Sequence, residues 1–165
     1  MTPEQIINHF NMKPLPEEGG WYTETYRSAE SFPQEGLPAR YDGRRNFSTA
    51  ILYLITKESF SKLHRVKSDE IFHFHTGDPA EMLQLSPNGT GRRITIGTDI
   101  LAGHQPQVIV ENGIWQGCRL ADGGRFALLG CTVSPGFEFT DYETGERMAL
   151  LRQYPGYTDE IIRLS

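Results

Sequence analysis

Cysteine is scarce in this chain of 165 residues: only Cys118 and Cys131 occur. Two cysteines make no disulfide framework, and in a chain with no export signal they read as free, buried thiols. Long apolar runs are also missing. The longest, near Ala50–Ile55, falls far short of the roughly 20 residues that a bilayer helix needs. The opening Met1-Thr2-Pro3-Glu4-Gln5 has no basic stretch leading into an apolar one, so no leader is expected and the cytoplasm is the expected location. Basic residues are outnumbered, 16 Lys and Arg against 21 Asp and Glu, for a net charge of −5. Nucleic-acid surfaces need phosphate-neutralising side chains gathered on one face. Neither nucleic acid nor membrane is therefore an expected partner. The basic pairs Arg44-Arg45 and Arg92-Arg93 read as solvated strand ends. There is no Gly-x-Ser-x-Gly, and Gly19-Gly20 leads into aromatic residues instead of a phosphate-binding helix.

What the chain does contain is β pattern. Residues 2–10 form the one clear opening helix: Thr2 and Gln5 have capping-box spacing, Pro3 suits the first helical position, and Ile6, Ile7 and Phe10 make an apolar face. Pro14, Pro16, Gly19 and Gly20 end it. Trp21–Tyr26 is aromatic and β-branched, hence a strand. Residues 28–46, with Pro33, Gly36, Pro38 and Gly43, read as a long loop. Strand-like segments then recur at 48–55, 60–66, 70–75, 80–85, 92–96, 107–110, 115–120, 127–133 and 137–142. Turn signals such as Asn88-Gly89 and Asp122-Gly123 separate them. Many short strands at this spacing predict an all-β sandwich or barrel in a single domain over 1–165. Short helices are expected at 144–153 and 157–164.

Three of the five histidines fall in one window, His64 to Gly77. Side chains alternate faces along a strand. Glu70, Phe72 and Phe74 thus share one face, with Ile71, His73 and His75 on the other. An antiparallel pair turning at Lys67–Asp69 is expected to bring His64 and Glu70 into one pocket. Imidazole beside carboxylate is a competent acid/base pair and part of a metal site. A satisfied hydrogen-bonded pair is the plainer alternative. His73 and His75 are two ligands on the wrong face, and they do not make a metal site by themselves.

The window resembles the first motif of the cupin superfamily, which runs Gly, five residues, His-x-His, three or four residues, Glu, six residues, Gly. His64, Glu70 and Gly77 match it; Val66 stands at the second His and Glu58 at the first Gly. The second motif, Gly, five residues, Pro-x-Gly, two residues, His, three residues, Asn, is met only at Gly113. Gln105, Glu111, Gln116 and Leu120 occupy the other positions. Over nearly the whole chain, the runs Glu18–Arg27, Ser48–Ile51, His64–Pro79 and Gly130–Phe139 resemble cupin family 5, a domain of unknown function. The resemblance implies a double-stranded β-helix (jelly roll), a homodimer and a pocket inside the barrel, without an assigned activity.

Metal-dependent cupins hold their ion with three His and one Glu. Here the matching positions are His64, Val66, Glu70 and Gln116, and valine has no donor while glutamine is a poor ligand for Zn or Fe(II). No tightly bound metal is expected; any weakly held divalent ion would use His64, Glu70 and Gln116. His73 or His104 would complete a site only through a bulge that changed strand parity. By resemblance to metal-free epimerases of the superfamily, His64 is the candidate base and Glu70 its partner or a second acid. Tyr22, Tyr26 or Tyr53 would supply a phenol, Gln116 a hydrogen bond to ligand, Arg27 a fork for an anion, and Phe72 a pocket wall. The tyrosines and Arg27 equally suit core packing and a structural ion pair. The leading expectation is a metal-free isomerase or epimerase acting on a polar, sugar-like metabolite. A metal-dependent cupin enzyme and a non-catalytic binding or sensor module are the alternatives.

Overall fold

The computed structural model describes all residues, Met1–Ser165. Helix α1 (Pro3–Phe10) opens the chain with the capping box in place: Thr2 Oγ1 accepts from Gln5 N–H and Gln5 Oε1 accepts from Thr2 N–H. Asn11, in the left-handed conformation, closes it.

Two antiparallel sheets face each other. The first has six strands, taken in spatial order: β1 (Lys13–Pro14), β2 (Trp21–Arg27), β5 (Thr49–Thr56), β12 (Phe126–Ser134), β7 (Asp69–Gly77) and β10 (Gln107–Val110). The second has five: β13 (Glu143–Thr144), β6 (Ser61–Arg65), β11 (Trp115–Leu120), β8 (Ala80–Leu85) and β9 (Gly91–Ile96). Their inner faces enclose a core that includes Tyr53, Ile55, Phe72, Met82, Ile96, Val108, Leu129 and Cys131. This is the jelly-roll architecture. Two smaller clusters lie outside the sheets. Helix α1 covers Leu54, Phe126 and Leu128 through Ile6. Helices α2 (Arg147–Gln153) and α3 (Thr158–Arg163) cover Leu63, Leu83, Leu85 and Trp115 through Leu150, Tyr154 and Ile161. Both arrangements bury the apolar outer stripe that a two-layer sandwich would otherwise expose.

Four sequence expectations need correction. The turn at Lys67–Asp69 does not join an antiparallel pair. Strand β6 pairs with β11 and β13, whereas β7 pairs with β12 and β10, so the chain crosses from one sheet to the other there. Residues 137–142 form no strand. A short 3-10 turn, Phe139–Asp141, replaces it, and Phe137 N–H is taken by the Thr49 hydroxyl instead of a strand partner. High β propensity needs a partner to be realised. The loop at 28–46 contains a two-stranded ribbon, β3 (Ser31–Phe32) with β4 (Arg45–Asn46). Finally, Arg45 is not solvated: its side chain is 3% exposed and forks onto the buried Asp141, with Nε–Oδ2 2.7 Å and Nη2–Oδ1 2.6 Å. That pair ties the ribbon to the 3-10 turn and shapes one rim of the barrel.

Candidate functional site

A cavity of about 300 Å³ opens between the two sheets. It lies at the small end of the range for metabolite sites. His64 reaches it from β6 and Glu70 from β7. They meet across the barrel from facing sheets, not as neighbours in a hairpin, and no hydrogen bond joins them. Alternation explains both: His64 sits opposite Gln116 on β11, and Glu70 shares its inward face with the buried Phe72.

His64 is 2% exposed, and its Nδ1 lies 2.7 Å from the carbonyl oxygen of Lys62. A carbonyl accepts only, so Nδ1 carries the proton and the neutral ring presents the Nε2 lone pair. Nε2 lies 3.7 Å from Glu18 Oε2. Tyr142 stacks on the imidazole with ring centroids 4.9 Å apart. Its buried hydroxyl has no hydrogen-bond partner.

Glu70 is 8% exposed, and its Oε2 accepts from Gln116 Nε2 at 2.6 Å. Loss of solvation, reinforced by the negative charge of Glu18, pushes its pKa up to about 7. His64, Gln116 and Cys131 pull in the other direction. Glu70 is thus a carboxyl group that exchanges its proton near neutral pH.

Glu18 was not among the residues singled out from the sequence. It comes from the turn after β1, where Gly19 and Gly20 have φ of +101° and +72°. A Cβ on Gly19 would lie 2.4 Å from the Phe60 carbonyl oxygen, and one on Gly20 would lie 2.7 Å from the Tyr53 hydroxyl. Only glycine allows so close a turn. The turn bonds onto β6 through Lys62 N–H to Glu18 O at 2.9 Å and Ser61 Oγ to Glu18 Oε1 at 2.7 Å. An acid beside Gly-Gly is a faint signal, since the contact with Ser61 spans 43 residues. Tyr142 was equally hidden, inside a segment read as a strand.

The other sequence-derived residues divide. Tyr22 and Arg27 line the cavity. Tyr53 and Phe72 lie in the core beside it, and the Tyr53 hydroxyl donates to the Gly19 carbonyl at 2.9 Å. Tyr26 points outward and is 54% exposed. Gln116 is fully buried behind Glu70 and orients that carboxyl instead of lining the cavity. His73 lies 3.3 Å from Thr132 Oγ1 on the outer face, and His75 packs over Gly130. The bulge between β12 and β7 falls at Leu128/Leu129, beyond His73, so its outward parity stands. His104 packs against Gly97, away from the cavity.

A sequence profile described as "Cupin superfamily (DUF985)" matches residues 4–145. The chain belongs to this family of cupins. Two solved structures resemble it over its full length. One is a hypothetical protein from Leishmania major, with 32% identity, 100% of this chain and 99% of that one covered, and a TM-score of 0.87. The other is a Shewanella oneidensis protein, with 32% identity, 100% and 98% coverage and the same TM-score of 0.87. Bacillus subtilis oxalate decarboxylase is similar in fold alone, at 14% identity and a TM-score of 0.56, over 94% of this chain and 38% of that one. No curated protein matches the chain. The cupin fold invites a metal, and one structure of the oxalate decarboxylase is described by its Mn(II) centres. The residues here do not fit one. No three His, Cys, Asp or Glu side chains are grouped to hold an ion, Val66 offers no donor, and Gln116 turns its amide N–H₂ toward Glu70. No helix is long and apolar enough to cross a membrane.

Proposed function

We propose that this cupin binds a small polar metabolite in the barrel and moves a proton on it by acid/base chemistry, as an isomerase or epimerase. One observation carries the reading: a single cavity is faced from one sheet by an imidazole with a fixed tautomer, and from the other by a buried carboxyl group. His64 Nε2 takes a proton from a carbon next to a carbonyl, and Glu18 stabilises the imidazolium that results. Protonated Glu70 supplies a proton on the opposite side, and the Tyr142 hydroxyl is a second donor. The proton count balances, so no co-reactant is needed. Matching the acid's pKa to neutral pH is what general catalysis favours. Gln116 positions Glu70, and the stacked Tyr142 holds the imidazole ring in place.

The test starts from mass spectrometry of freshly purified protein to identify a co-purifying metabolite. Incubation of that metabolite with the protein in D₂O should then incorporate deuterium at carbon. His64→Gln should bind it and slow exchange about 10²-fold or more. A wild-type protein that binds the metabolite and exchanges nothing refutes the catalytic reading.

The same reading includes a homodimer. The outer face of the six-stranded sheet leaves Tyr26 and Ile109 exposed at 54% and 53%. Exposed apolar side chains on a sheet face favour a second copy over solvent. A monomer by sedimentation at micromolar concentration removes this part.

A further inference from the structure

The charge around the cavity narrows what enters it. Glu18, Glu24 and Glu70 line the wall, whereas Arg27 is the sole Lys or Arg side chain on it. Arg27 is not available to a ligand. An arginine has five N–H donors, and all of them are engaged here. Nε and Nη2 fork onto Glu24 at 3.0 and 2.8 Å, Nη1 bonds Asn46 Oδ1 at 3.0 Å and Glu138 Oε1 at 2.8 Å, and Nη2 bonds the Phe137 carbonyl at 3.2 Å. One guanidinium thus answers two carboxylates, and the rim keeps a negative surplus.

Deeper in, Glu18 has a neutral hydroxyl donor in Ser61, and its approach to His64 Nε2 at 3.7 Å is longer than a hydrogen bond. Gln116, the side-chain amide on Glu70, is also neutral. Burial raises the Glu70 pKa most, and the nearby Glu18 carboxylate raises it further. The aromatic residues Tyr22, Phe137, Phe139 and Tyr142 line the same cavity. Aromatic faces attract cations, and most strongly where water is excluded.

We propose that the ligand of this cavity is a small organic cation, an amine-bearing polar metabolite of about hexosamine size, with its ammonium group against Glu18 and the aromatic wall, and that anionic metabolites are excluded. This rests on the cavity being a metabolite site and specifies the substrate class. With the ammonium on Glu18, Glu70 stays free for proton transfer.

The test is a titration of the full chain near neutral pH and at constant ionic strength with three probes of one size: D-glucosamine, D-glucose and D-glucuronate. Binding is followed by calorimetry and by the NMR signals of His64 and Tyr142. The cation should bind about tenfold or more tighter than the neutral sugar, and glucuronate should be the weakest. Glu18→Gln, which keeps the bond from Ser61, should erase the advantage of the amine. Glucuronate binding as tightly as glucosamine overturns the proposal, and so does an amine preference that survives Glu18→Gln. The wild-type ranking decides even if that variant folds poorly. Equal binding of glucose and glucosamine removes the cation and leaves a metabolite site. Binding of none of the three removes both. The expected ranking without deuterium exchange on an identified ligand removes only the catalytic reading.

Discussion

Replacing Glu70 by glutamine isolates the energetic consequence of burying a carboxyl group between the sheets. The variant keeps the shape and the hydrogen bond to Gln116 but cannot ionise. In the folded protein Glu70 titrates at about 7, against an ordinary 4.5. Below about pH 4.5 the folded and unfolded chains both hold the proton, and the group costs nothing in charge. Between 4.5 and 7 only the folded chain holds it, so stability falls as the pH rises. Above 7 both states are ionised and the penalty is complete. At about 1.4 kcal/mol per pH unit the full effect is about 3 kcal/mol, a large share of the stability of a domain this size. Urea denaturation of wild type and Glu70→Gln at pH 4.5 and pH 8 measures it. The variant should gain about 3 kcal/mol on the wild type between the two pH values. A gap that stays constant within about 0.5 kcal/mol would falsify the claim that Glu70 is desolvated, and with it its assignment as a proton donor.

Other consequences can be tested alongside. Asp141→Ala leaves the Arg45 guanidinium buried without two of its five hydrogen bonds, and should cost about 3–5 kcal/mol by denaturant titration; Asp141→Ala combined with Arg45→Met should recover part of that loss. Gly19→Ala meets the Phe60 carbonyl and a positive φ, so it should destabilise the fold by more than about 1 kcal/mol and displace Glu18, read as a shift of the His64 ring signals. Both thiols are buried with pKa values raised by desolvation. Cys118 and Cys131 should therefore resist a thiol-reactive dye in the native state and react on unfolding; rapid native labelling contradicts the packed barrel interior.

Local chemistry made much of the architecture readable before any coordinates. Strands β8, β10 and β11 run over the residues their alternation predicted, because turn residues bound them on both sides and side chains on a strand obey a period of two. The capping box at Thr2 and Gln5 is likewise a matter of neighbours three residues apart. Of the residues that line the cavity, the sequence singled out His64 and Glu70 and which face of its strand each takes. It assigned them the wrong relationship. A connection of three residues between two strands serves a hairpin or a crossing between sheets equally well, and only the pairing of β7 with β12 selects the second.

The sequence by itself determined most of the strand segments, the alternation of their faces and the family, since each depends on contacts close along the chain or on motif spacing. The tertiary structure alone decided that Glu18 and Tyr142 flank His64, that Gln116 serves Glu70, and that Arg27 and Arg45 are consumed by ion pairs. Apart from Arg27–Glu24 and Arg45–Asp42, each three residues apart, those contacts join residues 46 to 111 positions apart, where a side chain's partner depends on which strands the closed barrel sets face to face. Periodicity carries no information about that choice, because it describes one strand at a time.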